Sequence, residues 1–170
     1  MWDYQIRVVG RRTTSSLIVS IVLCVAYPAS ADFTGKVIAV ADGDTLTVLY
    51  GGVQVKVRLT EIDAPEGKQN FGNRSKQSLS DLCFGESAVL AEKGKDRYGR
   101  TLARVTCAGV DANAEQVRRG MAWAYTRYLT DSGIEALEAE ARAAERGLWR
   151  DHEPVPPWDW RTAKREASKK

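Results

Sequence analysis

The sequence contains no apolar run approaching the roughly 20 residues that a membrane-spanning helix needs; the stretch Leu17 to Tyr27 is shorter than that. It holds a single histidine, His152, in Asp151-His152-Glu153-Pro154. Any site that requires a catalytic histidine together with histidine metal ligands is excluded, and zinc is disfavoured. His152 itself reads as a surface residue. Internal repeats are absent, and cysteine is scarce, with only Cys24, Cys83 and Cys107. A broad basic face is missing too. The net charge of +3 comes from the ends: the first 31 residues carry +2 and those from Arg161 onward +4, leaving 17 basic against 20 acidic side chains between 32 and 160. Diffuse binding of a polyanion needs more than this, so phosphate recognition must rest on a few well-placed Arg and Lys.

What is present divides the 170 residues into three parts. Arg7, Arg11 and Arg12 precede the apolar run, and Pro28-Ala29-Ser30-Ala31 follows it. That is the pattern of a signal peptide over 1–31, with Asp32 as the first mature residue; the rival is a retained N-terminal anchor. Export, periplasmic or secreted, then sets the redox context for Cys83 and Cys107, which either pair as a disulfide or remain as two buried thiols. Residues 32–150 form one domain. Residues 151–170, with Pro154, Pro156 and Pro157 and then a lysine-rich end, read as a disordered tail.

Within the domain, Phe33–Val40 and Thr45–Tyr50 are rich in β-branched residues, and Gly51-Gly52 is a two-residue hairpin signal. Val53, Val55 and Val57 alternate with polar residues, as a half-buried strand does. Ser87–Glu92 and Thr101–Cys107 are two further strands. Helices are expected from near Arg74 to Cys83, from Asp111 to a stop at Gly120, and from a cap at Thr130 or Asp131 to Gly147, with Ile134, Leu137, Ala141 and Ala144 on one face. Five short strands interrupted by one helix and followed by two more suggest an α+β domain: a closed five-stranded barrel with three helices, in the manner of an OB-fold.

Three segments carry candidate chemistry. Asp42-Gly43-Asp44-Thr45 alone is ordinary turn chemistry. Arg58 to Glu66 alone is a charged strand end running into Pro65, and Asp96 to Thr101 alone is a solvated hairpin tip. Together they supply Asp44 and Asp63 as oxygen ligands for a hard cation, Glu66 as a base, and Arg58 and Arg100 as phosphate-gripping forks. Metal-assisted phosphodiester hydrolysis calls for these groups.

The ordered set Asp-Gly-Asp-Thr, then Arg-Leu with Asp-x-Pro-Glu, then Asp-x-Tyr-Gly-Arg resembles the staphylococcal nuclease (thermonuclease) family, from about Phe33 to Trp149. The resemblance implies an OB-type barrel, one calcium ion, and a monomer acting on DNA and RNA with no stable protein partner. It implies Asp44 and Asp63 as carboxylate ligands and the main-chain carbonyl of Ala64 as another. Ala64 departs from the family, where Thr is usual. Glu66 matches the general base and Arg58 and Arg100 the phosphate-binding arginines. Arg97 and Tyr98 match positions near a terminal phosphate, and Tyr125 or Tyr128 would wall the nucleotide pocket. The implied reaction is in-line attack by water, leaving 3′-phosphates. The reading from another class is a non-catalytic nucleic-acid-binding OB module, which has no reason to keep Asp44, Asp63, Glu66, Arg58 and Arg100 together.

Overall fold

Alternation of buried and exposed residues along the first three strands forces them to roll up around one apolar interior. The computed structural model describes residues 32–169 and, at Tyr128, the main chain alone; the signal-peptide reading of 1–31 lies outside these residues. Strand β1 (Phe33–Asp42) turns through Gly43-Asp44 into β2 (Thr45–Tyr50), which turns through Gly51-Gly52 into β3 (Val53–Leu59). Both hairpin glycines have positive φ, +56° and +80°, as a turn matched to the strand twist requires. A two-residue strand, β4 (Ile62–Asp63), leads through a loop to helix α1 (Gly72–Cys83). Strands β5 (Ser87–Lys95) and β6 (Thr101–Cys107) form the second large hairpin, and β7 (Val110–Asp111) edges β6.

Strand β1 pairs with both β2 and β5, β5 pairs with β6, and β6 closes on β3. The ring β1-β2-β3-β6-β5 is a five-stranded barrel, antiparallel except at the parallel β3–β6 seam. Closure removes the sheet edges that would otherwise template aggregation. Val37, Leu46, Val48, Val57, Leu59, Leu90 and Val105 fill the interior, all fully buried, and α1 adds Leu79. Each such side chain contributes about 1.5–3 kcal/mol of burial. Cys83, the last residue of α1, is bonded to Cys107, the last of β6, with Cα atoms 5.2 Å apart. The disulfide alternative therefore holds over the two thiols, and it ties helix to barrel.

Helix α2 (Ala112–Arg118) is capped by Asp111, whose side chain accepts from the Ala114 N–H. Strand β8 (Trp123–Ala124) pairs with β4, setting Asp63 opposite Trp123. Helix α3 (Ser132–Ala143) is capped by Asp131, one of the two expected residues, and buries Ile134 and Ala141. A second apolar cluster gathers Trp123, Ala141, Leu148 and Trp149, with Phe71 and Trp158 packed against it.

One expectation fails. The tail read as disordered contains a fourth helix, α4 (Pro157–Ala167), following Pro156. Pro157 sits at N1, where its fixed φ suits a helix and its missing N–H costs nothing. Only Pro157 of this helix is buried, so no apolar stripe betrays it. What docks α4 belongs to the site.

Candidate active site

The tip between β1 and β2 is more than a turn. A Cβ on Gly43 would lie 1.7 Å from Ser75 Oγ and 2.8 Å from the Ala64 Cβ, so only glycine lets the tip press against α1. Gln116, wholly buried on α2, donates through Nε2 to the Gly43 carbonyl at 2.7 Å and to the Ser75 carbonyl at 3.1 Å. Ser75 Oγ donates to the Met121 carbonyl at 2.6 Å. This web points Asp44 inward. Its Oδ2 accepts from the Ala64 N–H at 2.7 Å and its Oδ1 from the Thr45 hydroxyl at 3.0 Å.

Arg58, paired across the β2–β3 ladder with Thr45, bridges the two candidate ligands. Its Nη2 lies 3.1 Å from Asp44 Oδ2 and 2.9 Å from Asp63 Oδ1, while its Nη1 donates to the carbonyls of Leu59 and, at 2.9 Å, Ile62. Asp63 is fixed by the β4–β8 pair. Burial pushes the Asp44 carboxyl up to about 6, against the pull of Arg58. Burial raises Asp63 as well, opposed by hydrogen bonds from Arg161 and the charge of Arg58. Two buried carboxylates with raised proton affinity and a single bridging guanidinium form an oxygen-only donor set that suits a hard cation. Among the described residues no three His, Cys, Asp or Glu side chains group to hold a metal. A cation here must therefore complete its shell from carbonyl, water or phosphate oxygens.

Glu66 leaves Pro65 on a loop pinned at both ends. The Glu66 N–H donates to Gln69 Oε1 at 3.1 Å, and the Gln69 N–H returns to the Glu66 carbonyl at 2.8 Å. Gly72 presses on the same carbonyl, where an added Cβ would lie 2.0 Å away. The Glu66 carboxylate is partly exposed and meets Arg161 of α4: Nη1 to Glu66 Oε1 at 2.8 Å, Nη1 to Asp63 Oδ1 at 3.3 Å, and Nη2 to Asp63 Oδ2 at 2.7 Å. One guanidinium thus spans both carboxylates.

Arg100 precedes β6 and is held by Asp96, from Nε to Oδ2 at 2.7 Å, rather than by the carboxylates that hold Arg58. Arg97 and Tyr98 form the exposed hairpin tip, with the Arg97 guanidinium 4.7 Å from the Tyr98 ring centre. Neither joins the Asp44–Arg58–Asp63 cluster. Tyr125 follows β8 and stacks on Trp158, with centroids 5.5 Å apart and planes 12° from parallel. The side chain of Tyr128 lies outside the described residues.

The sequence motifs missed the positioning residues. Asn113 is fully buried, accepting from the Val105 N–H at 3.0 Å and donating to the Thr60 carbonyl at 2.8 Å. Glu61, in the left-handed region at φ +65°, accepts from the Thr130 N–H at 2.8 Å and pairs with Arg104 at 3.1 Å. Together they fix the Thr60–Asp63 turn. No local pattern marks a buried amide on a short helix, and Arg161 lay in the part read as tail.

Comparison with known proteins places the chain in a family. Residues 56–151 match the family described as staphylococcal nuclease homologue. A micrococcal nuclease of Shigella flexneri is 44% identical over 160 residues, covering 88% of this chain and 92% of the relative. An uncharacterized endonuclease of Haemophilus influenzae is 49% identical over 129 residues, covering 75% of this chain and 72% of the relative. Protein ParB of Escherichia coli is 43% identical over 151 residues.

Proposed function

The chain belongs to the staphylococcal nuclease family, and from that premise we propose a calcium-dependent nuclease that cleaves DNA and RNA by direct attack of water, leaving 3′-phosphates. The observation that carries this reading is the reach of two guanidiniums. Arg58 ties Asp44 to Asp63, and Arg161 ties Asp63 to Glu66. The two guanidiniums thus link all three carboxylates into one charged cluster, with positive charge standing where a cation would.

Asp44, Asp63 and the Ala64 carbonyl would hold calcium, which when bound supplies charge neutralisation to the scissile phosphate. Glu66 accepts the proton of the attacking water as the new O–P bond forms. The P–O5′ bond breaks in line, and the leaving oxygen takes a proton from solvent. Arg58 and Arg100 donate hydrogen bonds to the phosphoryl oxygens. A guanidinium keeps its proton, so both act as electrostatic clamps rather than acids. Two main-chain carbonyls hold Nη1 of Arg58, while Nη2, now on Asp44 and Asp63, would turn to the phosphate once a cation takes over those carboxylates.

An exported protein suits this chemistry: the signal-like residues 1–31 and the Cys83–Cys107 bond both fit an oxidising compartment. No helix among the described residues is long and apolar enough to cross a membrane. The test is hydrolysis of plasmid DNA and of RNA with calcium, without it, and with chelator. Product ends decide the regiochemistry: polymerase should extend them only after a phosphatase has removed the 3′-phosphate. Tight binding with no hydrolysis under any divalent cation would replace the enzyme with a binding module.

A further inference from the structure

Helix α4 meets the rest of the protein where the reaction would take place. Arg161 occupies both oxygens of Asp63 and one oxygen of Glu66. Three residues earlier, hence on the same helical face, Trp158 covers Tyr125 in a near-parallel stack. The helix places a positive charge against the carboxylates and an aromatic plane on the tyrosine, the two features a cation-bound nucleotide would present. Beyond Arg161 every side chain of α4 is exposed. Its attachment rests on the three-point ion pair and on its first turn, where Pro157 is buried, Trp160 is half-buried, and Trp158 both stacks on Tyr125 and packs against the Trp123–Trp149 cluster.

We propose that α4 is an intrachain plug of the active site, displaced when nucleic acid and its cation bind. This rests on the reading of the site as a cation-dependent phosphodiesterase. Asp63 cannot give the same lone pairs to a cation and to Arg161, and Glu66 cannot accept a water proton through an oxygen held by Nη1. A base cannot stack on the face of Tyr125 that carries Trp158. Each ligand therefore binds the undocked state better and shifts the population toward it. Apolar contact of α4 is confined to its first turn, 157–160, and elements with so limited an apolar hold open at lower free-energy cost than the core.

The test uses the mature full chain. Hydrogen exchange of residues 157–167 is followed in chelator and then with calcium plus a short phosphorothioate oligodeoxynucleotide, which resists cleavage. The α4 amides should exchange about tenfold faster with both ligands present, while barrel amides slow. Calorimetric titration with calcium alone should show affinity tightening about three- to tenfold in Arg161→Gln and also in Trp158→Ala. Trp158 carries no charge, so its effect separates plugging from simple electrostatics. A shift in Arg161→Gln alone overturns the plug. So does slower exchange of α4 on ligand binding, or a raised KM for DNA in Arg161→Gln, which would make Arg161 a substrate clamp. Neither exchange nor calorimetry needs turnover. Release of α4 without any DNA cleavage would sink the nuclease reading alone; cleavage without release would sink the plug alone.

Discussion

Asp44 offers a quantitative check on the site because its burial sets a pH dependence of opposite sign to that of most carboxylates. It lies at 5% exposure, and its proton affinity rises from an ordinary 3.8 to about 6. Between these values the folded chain keeps a proton that the unfolded chain releases. Lowering the pH through the window from about 6 to about 4 therefore stabilises the fold, and above 6 the cost of an ionised Asp44 is fully expressed. A shift of about two units corresponds to an upper limit of about 3 kcal/mol. Asp96, Glu115 and Asp131 act the other way. Hydrogen bonds from arginine, joined at Asp96 and Asp131 by backbone N–H groups, outweigh what burial they have and hold them below their usual values, so their stabilisation is lost in stronger acid. Asp44→Asn isolates the difference. The asparagine oxygen can still accept from the Ala64 N–H, but nothing at that position titrates. Urea unfolding in chelator from pH 4 to 7.5 should show the variant gaining on the wild type by about 1–3 kcal/mol across the window, while its calcium affinity falls. Parallel stability curves for the two proteins would refute the reasoning, because an exposed or well-paired Asp44 would leave no difference.

Other substitutions separate chemistry from scaffolding. Glu66→Gln should cost about 10²- to 10⁴-fold in kcat, with circular dichroism unchanged and no rescue by added calcium. Arg58→Lys and Arg100→Lys keep the charge but lose the fork, so kcat should fall strongly in steady-state assays on one DNA substrate. Replacing both Cys83 and Cys107 with Ala removes a cross-link spanning 24 positions. The chain-entropy loss is about 3.5 kcal/mol, visible in calorimetry as a Tm lowered by roughly 10 °C. Gly43→Ala must push the Asp44 tip away from Ser75, so both thermal stability and calcium affinity should drop; a variant with wild-type calcium binding would show that the tip is not what seats Asp44.

Barrel strands and the candidate-site side chains were readable because their signals are local. Val53, Val55 and Val57 alternate, Gly51-Gly52 closes a tight turn, and Asp111 and Asp131 stand where caps belong. The three motif segments name Asp44, Arg58, Asp63 and Glu66, and the fold brings all four together. What is not local did not show. Gln116 and Asn113 look like a solvated helix face until α2 is laid against β6 and the Gly43 tip, where each becomes a buried amide with two main-chain acceptors or one of each kind. Gly43 reads as a turn glycine, yet its necessity comes from Ser75, a residue 32 positions away on another element. Arg97 and Tyr98 were named by motif, and the fold leaves them on an exposed tip.

Helix α4 escaped detection for a reason that bears on what it does. Periodicity finds helices that bury an apolar stripe, and α4 buries none beyond Pro157. It is docked by the Arg161 guanidinium and by a first turn whose Trp158 stacks on Tyr125 and packs on the Trp123–Trp149 cluster. A helix with a leucine stripe would be a permanent part of the domain, because exposing each leucine costs about 1.5–3 kcal/mol. The Arg161 pairs are different in kind. Arg161 is 40% exposed but Asp63 only 2%, so water alone would leave a buried carboxylate uncompensated, whereas a cation arriving at Asp63 takes over the charge that Arg161 supplied. The polar character that hides α4 from sequence reading is thus what makes it removable. A plug must be visible to the site and only lightly held by the core; Arg161 facing two carboxylates meets the first condition, and an apolar hold confined to the first turn of α4 meets the second.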